Sequence, residues 1–342
     1  MSNITKATPR QARKFIVECI KAGLVPFLQG PPGIGKSVIN HSISKDFNLQ
    51  MIDHRLSTSE PTDLTGLPDF NNGRAYYAPF NIFPLEGDPT PEGKDGWLLF
   101  FDELPSASKM VQAAGYKVML DRMIGQHRLH PNVAVVAAGN RMEDRAIVNS
   151  LSTAMQSRLV HIEMEVNHQE WLEDVALKQN YDSRIIAFLM QFPSKLMDFR
   201  PDHHEKTFAC PRTWEFVNRL ISGKQLDDDM AILLSGTITP GIAMEFYQFT
   251  KVFKDLININ EILRDPENCR IPTDNSIKWA TVTHMMDSVT DKNFSQVSVY
   301  ADRFDLSFRI LFYRSILIQK PNLRNHPDFG KIVGRISQYL YS

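Results

Sequence analysis

Three features of the chain predict an α/β fold with a parallel sheet. Strand-like and helix-like segments alternate from residue 24 to residue 164, giving five strand candidates. Two of these, Trp97 to Phe101 and Val133 to Ala138, are apolar at every position, as strands covered on both faces are. A glycine-rich turn, Gly30 to Ser37, joins an apolar strand to a helix. From His168 onward the period is helical, so a helical region is expected to follow the sheet.

Taken in order, Pro9 to Ala22 has helical spacing at Phe15, Ile16, Cys19 and Ile20, and ends at Gly23. Leu24 to Leu28 reads as a strand, Lys36 to Phe47 as a helix and Met51 to Leu56 as a second strand. Ser57 to Pro68 is rich in turn and capping residues, and the alternating stretch Arg74 to Phe83 then predicts a projecting hairpin. Leu85 to Gly96 reads as a surface loop. The run from Trp97 ends in Asp102-Glu103; a helix from Ser108 to Asp121 and a small hairpin from Met123 to His130 precede the strand ending at Gly139-Asn140. Helix Asn149 to Ser157 and strand Leu159 to Met164 complete the alternation. Beyond it, helical stripes mark Trp171 to Ala176, Ile185 to Met190, Trp214 to Ile221 behind Pro211, and Phe246 to Leu256. Further stripes (Phe304, Phe308, Leu311; Phe329, Ile332, Val333, Ile336) read as core-facing helices. The expected division is an α/β domain at 1–166, a helical domain at 167–254 and a helical extension at 255–342.

With 342 residues, 43% of them hydrophobic, the chain is long enough for more than one core. Its net charge of -1 supplies no overall field toward nucleic acid or anionic membranes. Cys19, Cys210 and Cys269 form neither a disulfide framework nor a ligand cluster, which points to a reducing compartment. The longest apolar runs are too short to span a bilayer, so a cytoplasmic location is expected. His203-His204, flanked by Asp202 and Glu205, lacks further ligands at useful spacing and reads as a solvated loop.

The chemistry is concentrated in the first half. Gly30-Pro31-Pro32-Gly33-Ile34-Gly35-Lys36-Ser37 fits the phosphate-binding pattern G-x-x-x-x-G-K-[ST]. Its glycines let backbone N–H groups curve around phosphates, Lys36 brings a compact positive charge to the β/γ-phosphates, and Ser37 offers a hydroxyl to magnesium. The helix starting at Lys36, with Val38 in its first turn, adds the positive end of its dipole. An Asp such as Asp102 at the end of a buried strand can hold magnesium with its waters, and the adjacent Glu103 can accept the proton of an attacking water. Asn140 ends the next strand.

These motifs resemble those of AAA+ ATPases and, within that superfamily, the MoxR group. GPPGIGKS (30–37) is similar to the family's Walker A, LLFFDEL (98–104) to Walker B and AAGN (137–140) to sensor 1; AMQSRL (154–159) resembles the arginine-finger segment and CPRTW (210–214) sensor 2. PTDLTG (61–66), the two hairpins and the Pro-Arg pair at 211–212 carry the MoxR resemblance, which covers about residues 10–250. The chain departs from the family where Walker B runs on into Leu104-Pro105-Ser106.

The resemblance implies a P-loop NTPase domain with a five-stranded parallel sheet between helices and a helical lid. It implies ATP and Mg2+ as cofactors, with metal contacts from Ser37 and Asp102 and catalytic roles for Lys36, Glu103 and Asn140. Arg158 would reach the γ-phosphate bound by a neighbouring subunit, and Arg212 would contact the nucleotide in its own subunit or the next. Arg141 and Arg145 are further candidates for contact between subunits, with a plain structural role as the favoured reading. The implied assembly is a hexameric ring that remodels a protein partner, one with a von Willebrand A domain. The alternative is a nucleic-acid-dependent motor or loader, whose sign would be basic residues interleaved with aromatics on the hairpins. Arg74, Tyr76 and Tyr77, and Arg122, Gln126, His127, Arg128 and His130, form only sparse clusters of that kind. A scaffold that binds ATP without hydrolysing it fits poorly with the intact Asp102-Glu103 pair.

Overall fold

The computed structural model describes residues 5–144, 149–334 and 336–340. These residues fall into two compact units, one of residues 1–166 and 200–203, the other of residues 167–199 and 204–342.

In the first unit α1 (Pro9–Lys21) is started by Thr8, whose hydroxyl accepts from the Gln11 amide while the Gln11 side chain returns a bond to the Thr8 amide. Then come β1 (Val25–Gln29), α2 (Lys36–Asp46), β2 (Leu49–Arg55), the short α3 (Pro61–Thr65), β3 (Leu67–Asn71), β4 (Arg74–Ala78) and β5 (Gly96–Asp102). They are followed by α4 (Lys109–Tyr116), β6 (Met123–Ile124), β7 (His127–Arg128), β8 (Val133–Gly139), α5 (Thr153–Gln156) and β9 (Leu159–Glu163). Five strands form one parallel sheet in the order β2-β5-β8-β1-β9, flanked by helices. Both faces are covered, which is why β5 is apolar from Trp97 to Phe101: Leu99 and Phe101 pack with Phe27, Val111, Met119 and Val135 on one face. Leu98 and Phe100, equally buried, point to the other. Removing an aromatic such as Phe101 from such a core costs about 3–5 kcal/mol.

One local expectation is refined and one corrected. The helix expected from Ser108 to Asp121 has that extent, capped by Ser108, but its last turn, Lys117–Asp121, is of the wider π type and ends at Arg122 with φ of 59°. The helix expected from Asn149 to Ser157 is only Thr153–Gln156. Asn149 is held by Pro105 and Ala107 carbonyls, and Ser152 caps the helix by accepting from the Met155 amide, so the chain before Thr153 is committed elsewhere.

The hairpin expected over Arg74 to Phe83 pairs Leu67–Asn71 with Arg74–Ala78, so its first strand lies partly in the stretch read as a loop. It is held to the second hairpin, β6–β7: His127 Nε2 lies 3.1 Å from the Tyr77 carbonyl, and a Cβ on Gly125 would come within 3.1 Å of Tyr77 Cβ.

The second unit is helical. After α6 (His168–Trp171), the helices α7 (Ser183–Gln191), α8 (Pro211–Ile221), α9 (Asp228–Ile238) and α10 (Pro240–Lys251) enclose an aromatic centre of Phe188, Trp214, Phe246 and Phe249, with Phe188–Phe246 centroids 5.3 Å apart. Residues beyond 254 add α11 (Ile259–Arg264), α12 (Asn275–Ser288), α13 (Phe294–Ala301), α14 (Leu306–Gln319) and two short terminal helices. α12 packs against both α7 and α14, and Arg314 pairs with Glu173, so the C-terminal helices are built into the same unit.

Candidate nucleotide site

All five sheet strands run in parallel, so the loops after β1, β5 and β8 emerge at one edge, the edge where ligands sit in open α/β sheets. Gly30 begins the loop after β1. A side chain there would put its Cβ 2.6 Å from the Met164 carbonyl, so only glycine fits. Gly35 ends the loop in the left-handed region at φ of 95°, turning the chain into α2.

Lys36, 9% exposed, donates to the Gly30 carbonyl at 2.7 Å, the Pro31 carbonyl at 2.9 Å and Asn140 Oδ1 at 2.9 Å. Its ammonium thus sits inside the curve of the loop, tied to the residue that ends β8. Ser37 Oγ donates to Asp102 Oδ2 at 3.0 Å, and the other oxygen of Asp102 accepts the Glu103 amide at 2.8 Å. Glu103 has φ of 59°, a left-handed conformation uncommon for a side-chain-bearing residue. Its carboxylate accepts a short hydrogen bond from the Ser57 hydroxyl, in the turn after β2. His54, at the end of β2, has its second nitrogen 2.9 Å from Ser59 Oγ, and burial between Phe83 and Phe101 lowers its pKa. Ile34 is buried, while Val38 is 64% exposed on the first turn of α2.

The structure therefore gathers Lys36, Ser37, Asp102, Glu103 and Asn140 from separate loops onto one sheet edge. Arg158 is not among them. It immediately precedes β9, at the opposite edge, and the five residues of β9 span about 16 Å. Its guanidinium donates to the Ala154 carbonyl at 3.1 Å and lies 5.5 Å over the Tyr116 ring. It lines a groove of about 1150 Å³ with Leu24, Phe47, Leu49, Met119 and Arg122. Arg212 is exposed on the first turn of α8, in the second unit.

Arg141 has the structural pairing that is the favoured reading for it: it is taken up within the chain by Asp144 at 2.7 Å, Glu163 at 2.8 Å and Glu143 at 3.0 Å. Burial works against its charge, but the hydrogen bonds to Asp144 and Glu163 outweigh that and raise its pKa. Arg145 lies outside the described residues. Sequence reasoning missed Ser57 and the Asp144 and Glu163 partners; the cluster of small polar residues from Ser57 to Ser59 was the only local signal for the first.

Two groups fit this edge. The glycine loop with a lysine at its centre suits a polyphosphate. A hydroxyl and a carboxylate 3.0 Å apart are the hard oxygen donors that magnesium takes beside phosphate oxygens.

A parallel sheet with this loop at its C-terminal edge defines a P-loop nucleotide-binding domain. More narrowly, residues 26–159 match the family described as an AAA domain of the dynein-related subfamily, so this part of the chain carries an AAA domain. Among solved structures, the chain is similar to a mutant RuvB of Thermotoga maritima (17% identity, TM-score 0.39, covering 74% of this chain and 76% of that one). It is also similar to NtrX of Brucella abortus in complex with ADP (12% identity, TM-score 0.35, 98% and 67%). Similarity of this degree defines neither substrate nor partner. Among curated proteins no significant match is found.

Proposed function

We propose that the chain is an ATP-hydrolysing subunit of a MoxR-like AAA+ ring of six, acting in the cytoplasm to remodel or activate a protein partner, one with a von Willebrand A domain. The observation that carries the ATPase reading is the convergence of Lys36, Ser37, Asp102, Glu103 and Asn140 at one sheet edge.

In this reading the backbone amides from Gly30 to Ser37 bind the phosphates, and Lys36 exchanges its present carbonyl and amide partners for β/γ-oxygens. Ser37 and Asp102 hold Mg2+, which when bound neutralises charge on the phosphates. Glu103, released from Ser57, takes the proton of the attacking water, and Asn140 orients that water. Positive charge near the γ-oxygens has to come from elsewhere, because Arg158 stands at the far edge of its own sheet. A neighbouring subunit's Arg158 supplies it, and Arg212 contacts a nucleotide, that of its own subunit or of the next.

Protein rather than nucleic acid is favoured by the β3–β4 hairpin. Its exposed side chains include Leu67 at 50%, Phe70 at 76% and Tyr77 at 48%, with Arg74 its single basic residue. No helix of the described residues is long and apolar enough to cross a membrane. Glu103→Gln tests the chemistry: turnover is expected to fall about 100-fold or more with ATP binding retained, as for loss of a general base. Unchanged turnover would reject the mechanism. The same variant loaded with ATP should retain its protein partner during purification, and identifying that protein tests the remodelling role.

A further inference from the structure

At the C-terminal edge of the sheet, Gly139 of β8, Gln29 of β1 and Glu163 of β9 share one register row. The next residues are Asn140 after β8, Gly30 after β1 and Met164 after β9. Arg141 leaves β8 and places Nη1 2.8 Å from Glu163 Oε1, across the outlet of the strand between them. Two strand spacings amount to about 10 Å, a gap closed by the arginine and glutamate side chains reaching toward each other.

The other side of the same guanidinium is gripped by Asp144: Nη2 reaches Oδ1 at 2.7 Å, while Asp144 Oδ2 accepts the Arg141 amide at 2.9 Å and closes the turn. The side chains of Arg141, Asp144 and Glu163 are 17%, 0% and 5% exposed. Charges so buried are costly unless paired, and breaking one such pair is far more damaging than having built an apolar contact in its place. The turn held in this way is the one that presents Asn140 to Lys36 at 2.9 Å. The chain gripped at Glu163 is the one whose next carbonyl, that of Met164, abuts Gly30.

We propose that Arg141 is a positioning residue for the hydrolysis described above: it clamps the outlet of β8 to the outlet of β9 and so fixes Asn140 against Lys36 and the place of the γ-phosphate. This assignment rests on the ATPase reading. It makes Asn140 the residue through which Arg141 acts, and ADP, which has no γ-phosphate, a ligand indifferent to the clamp.

The test uses the full chain, with steady-state ATP turnover and ADP affinity measured for each variant. Wild type against Glu103→Gln comes first; absence of Glu103-dependent turnover overturns the ATPase reading, and this assignment with it. Given that turnover, Arg141→Met is expected to lower kcat about tenfold and Glu163→Leu about threefold, with ADP affinity within about twofold of wild type. Glu163→Gln, which keeps an acceptor for Nη1, should recover most of the Glu163→Leu loss. In an Asn140→Ala background either substitution should add less than about twofold, because coupled residues are not additive. Glu163→Leu leaves Arg141 paired with Asp144 and Glu143, so it carries the test should Arg141→Met fail to fold. Losses that multiply with Asn140→Ala, or ADP affinity that falls in step with kcat, would reduce the cluster to a structural ion pair and overturn the assignment.

Discussion

The two edges of the central sheet are built in opposite ways. At the C-terminal edge every polar side chain of the candidate site is engaged by another part of the same chain: Lys36 by Asn140, Ser37 by Asp102, Glu103 by Ser57. At the N-terminal edge Arg158 finds a backbone carbonyl and an aromatic face, and lines an open groove. In the proposed reading the first edge holds the phosphate chain and a metal without an arginine finger, and the second offers Arg158 to a neighbouring subunit. On that reading the two edges would complete one active site across a subunit boundary, which the proposed ring would supply at every contact.

The largest effect belongs to the phosphate edge alone. Lys36→Met removes the charge in the loop and leaves the Gly30 and Pro31 carbonyls facing phosphate oxygens, so nucleotide affinity should fall about 100-fold or more, equivalent to roughly 3 kcal/mol. Equilibrium binding of ATP to the variant measures it. Retained affinity would mean that the loop does not cradle phosphates. The smallest effect belongs to the resting contact of the base. In the proposed mechanism Ser57→Ala frees Glu103 from a hydrogen bond that would have to break before catalysis, so turnover should change by only about threefold, with ATP affinity unaffected. A loss as deep as that of Glu103→Gln would place Ser57 in the catalytic machinery instead.

How much of this was legible in the sequence depended on how local each feature is. The loop from Gly30 to Ser37 and the acids ending β5 are contiguous, and neighbouring residues alone determine them. The grip of Arg141 on Glu163 joins residues 22 apart across a third strand, and no spacing rule announces it. The hold of Ser57 on Glu103 is more distant still, at 46 residues. Among the helices, α8 announced itself by the stripe of Trp214, Val217 and Ile221. α12 did not, because it is buried almost all round: Trp279, Val282 and Met286 are buried, and so are Thr281 and Thr283, whose hydroxyls bond carbonyls of their own helix. A helix with no solvent face has no stripe to read. α9 blurred for the opposite reason, with Ile232 at 72% and Leu233 at 50% exposure beside the buried Ala231 and Leu234.

The claim that the two edges meet between subunits is tested most directly by mixing two defective chains. Arg158→Ala keeps its phosphate edge and lacks the arginine; Glu103→Gln keeps the arginine and lacks the base, so each alone should turn over ATP at a small fraction of the wild-type rate. In equimolar random rings about a quarter of the interfaces combine an intact phosphate edge with an intact Arg158, and ATP turnover should recover toward that fraction. Activity that stays at the level of the separate variants, under conditions where the chains are shown to co-assemble, would contradict a site shared between subunits.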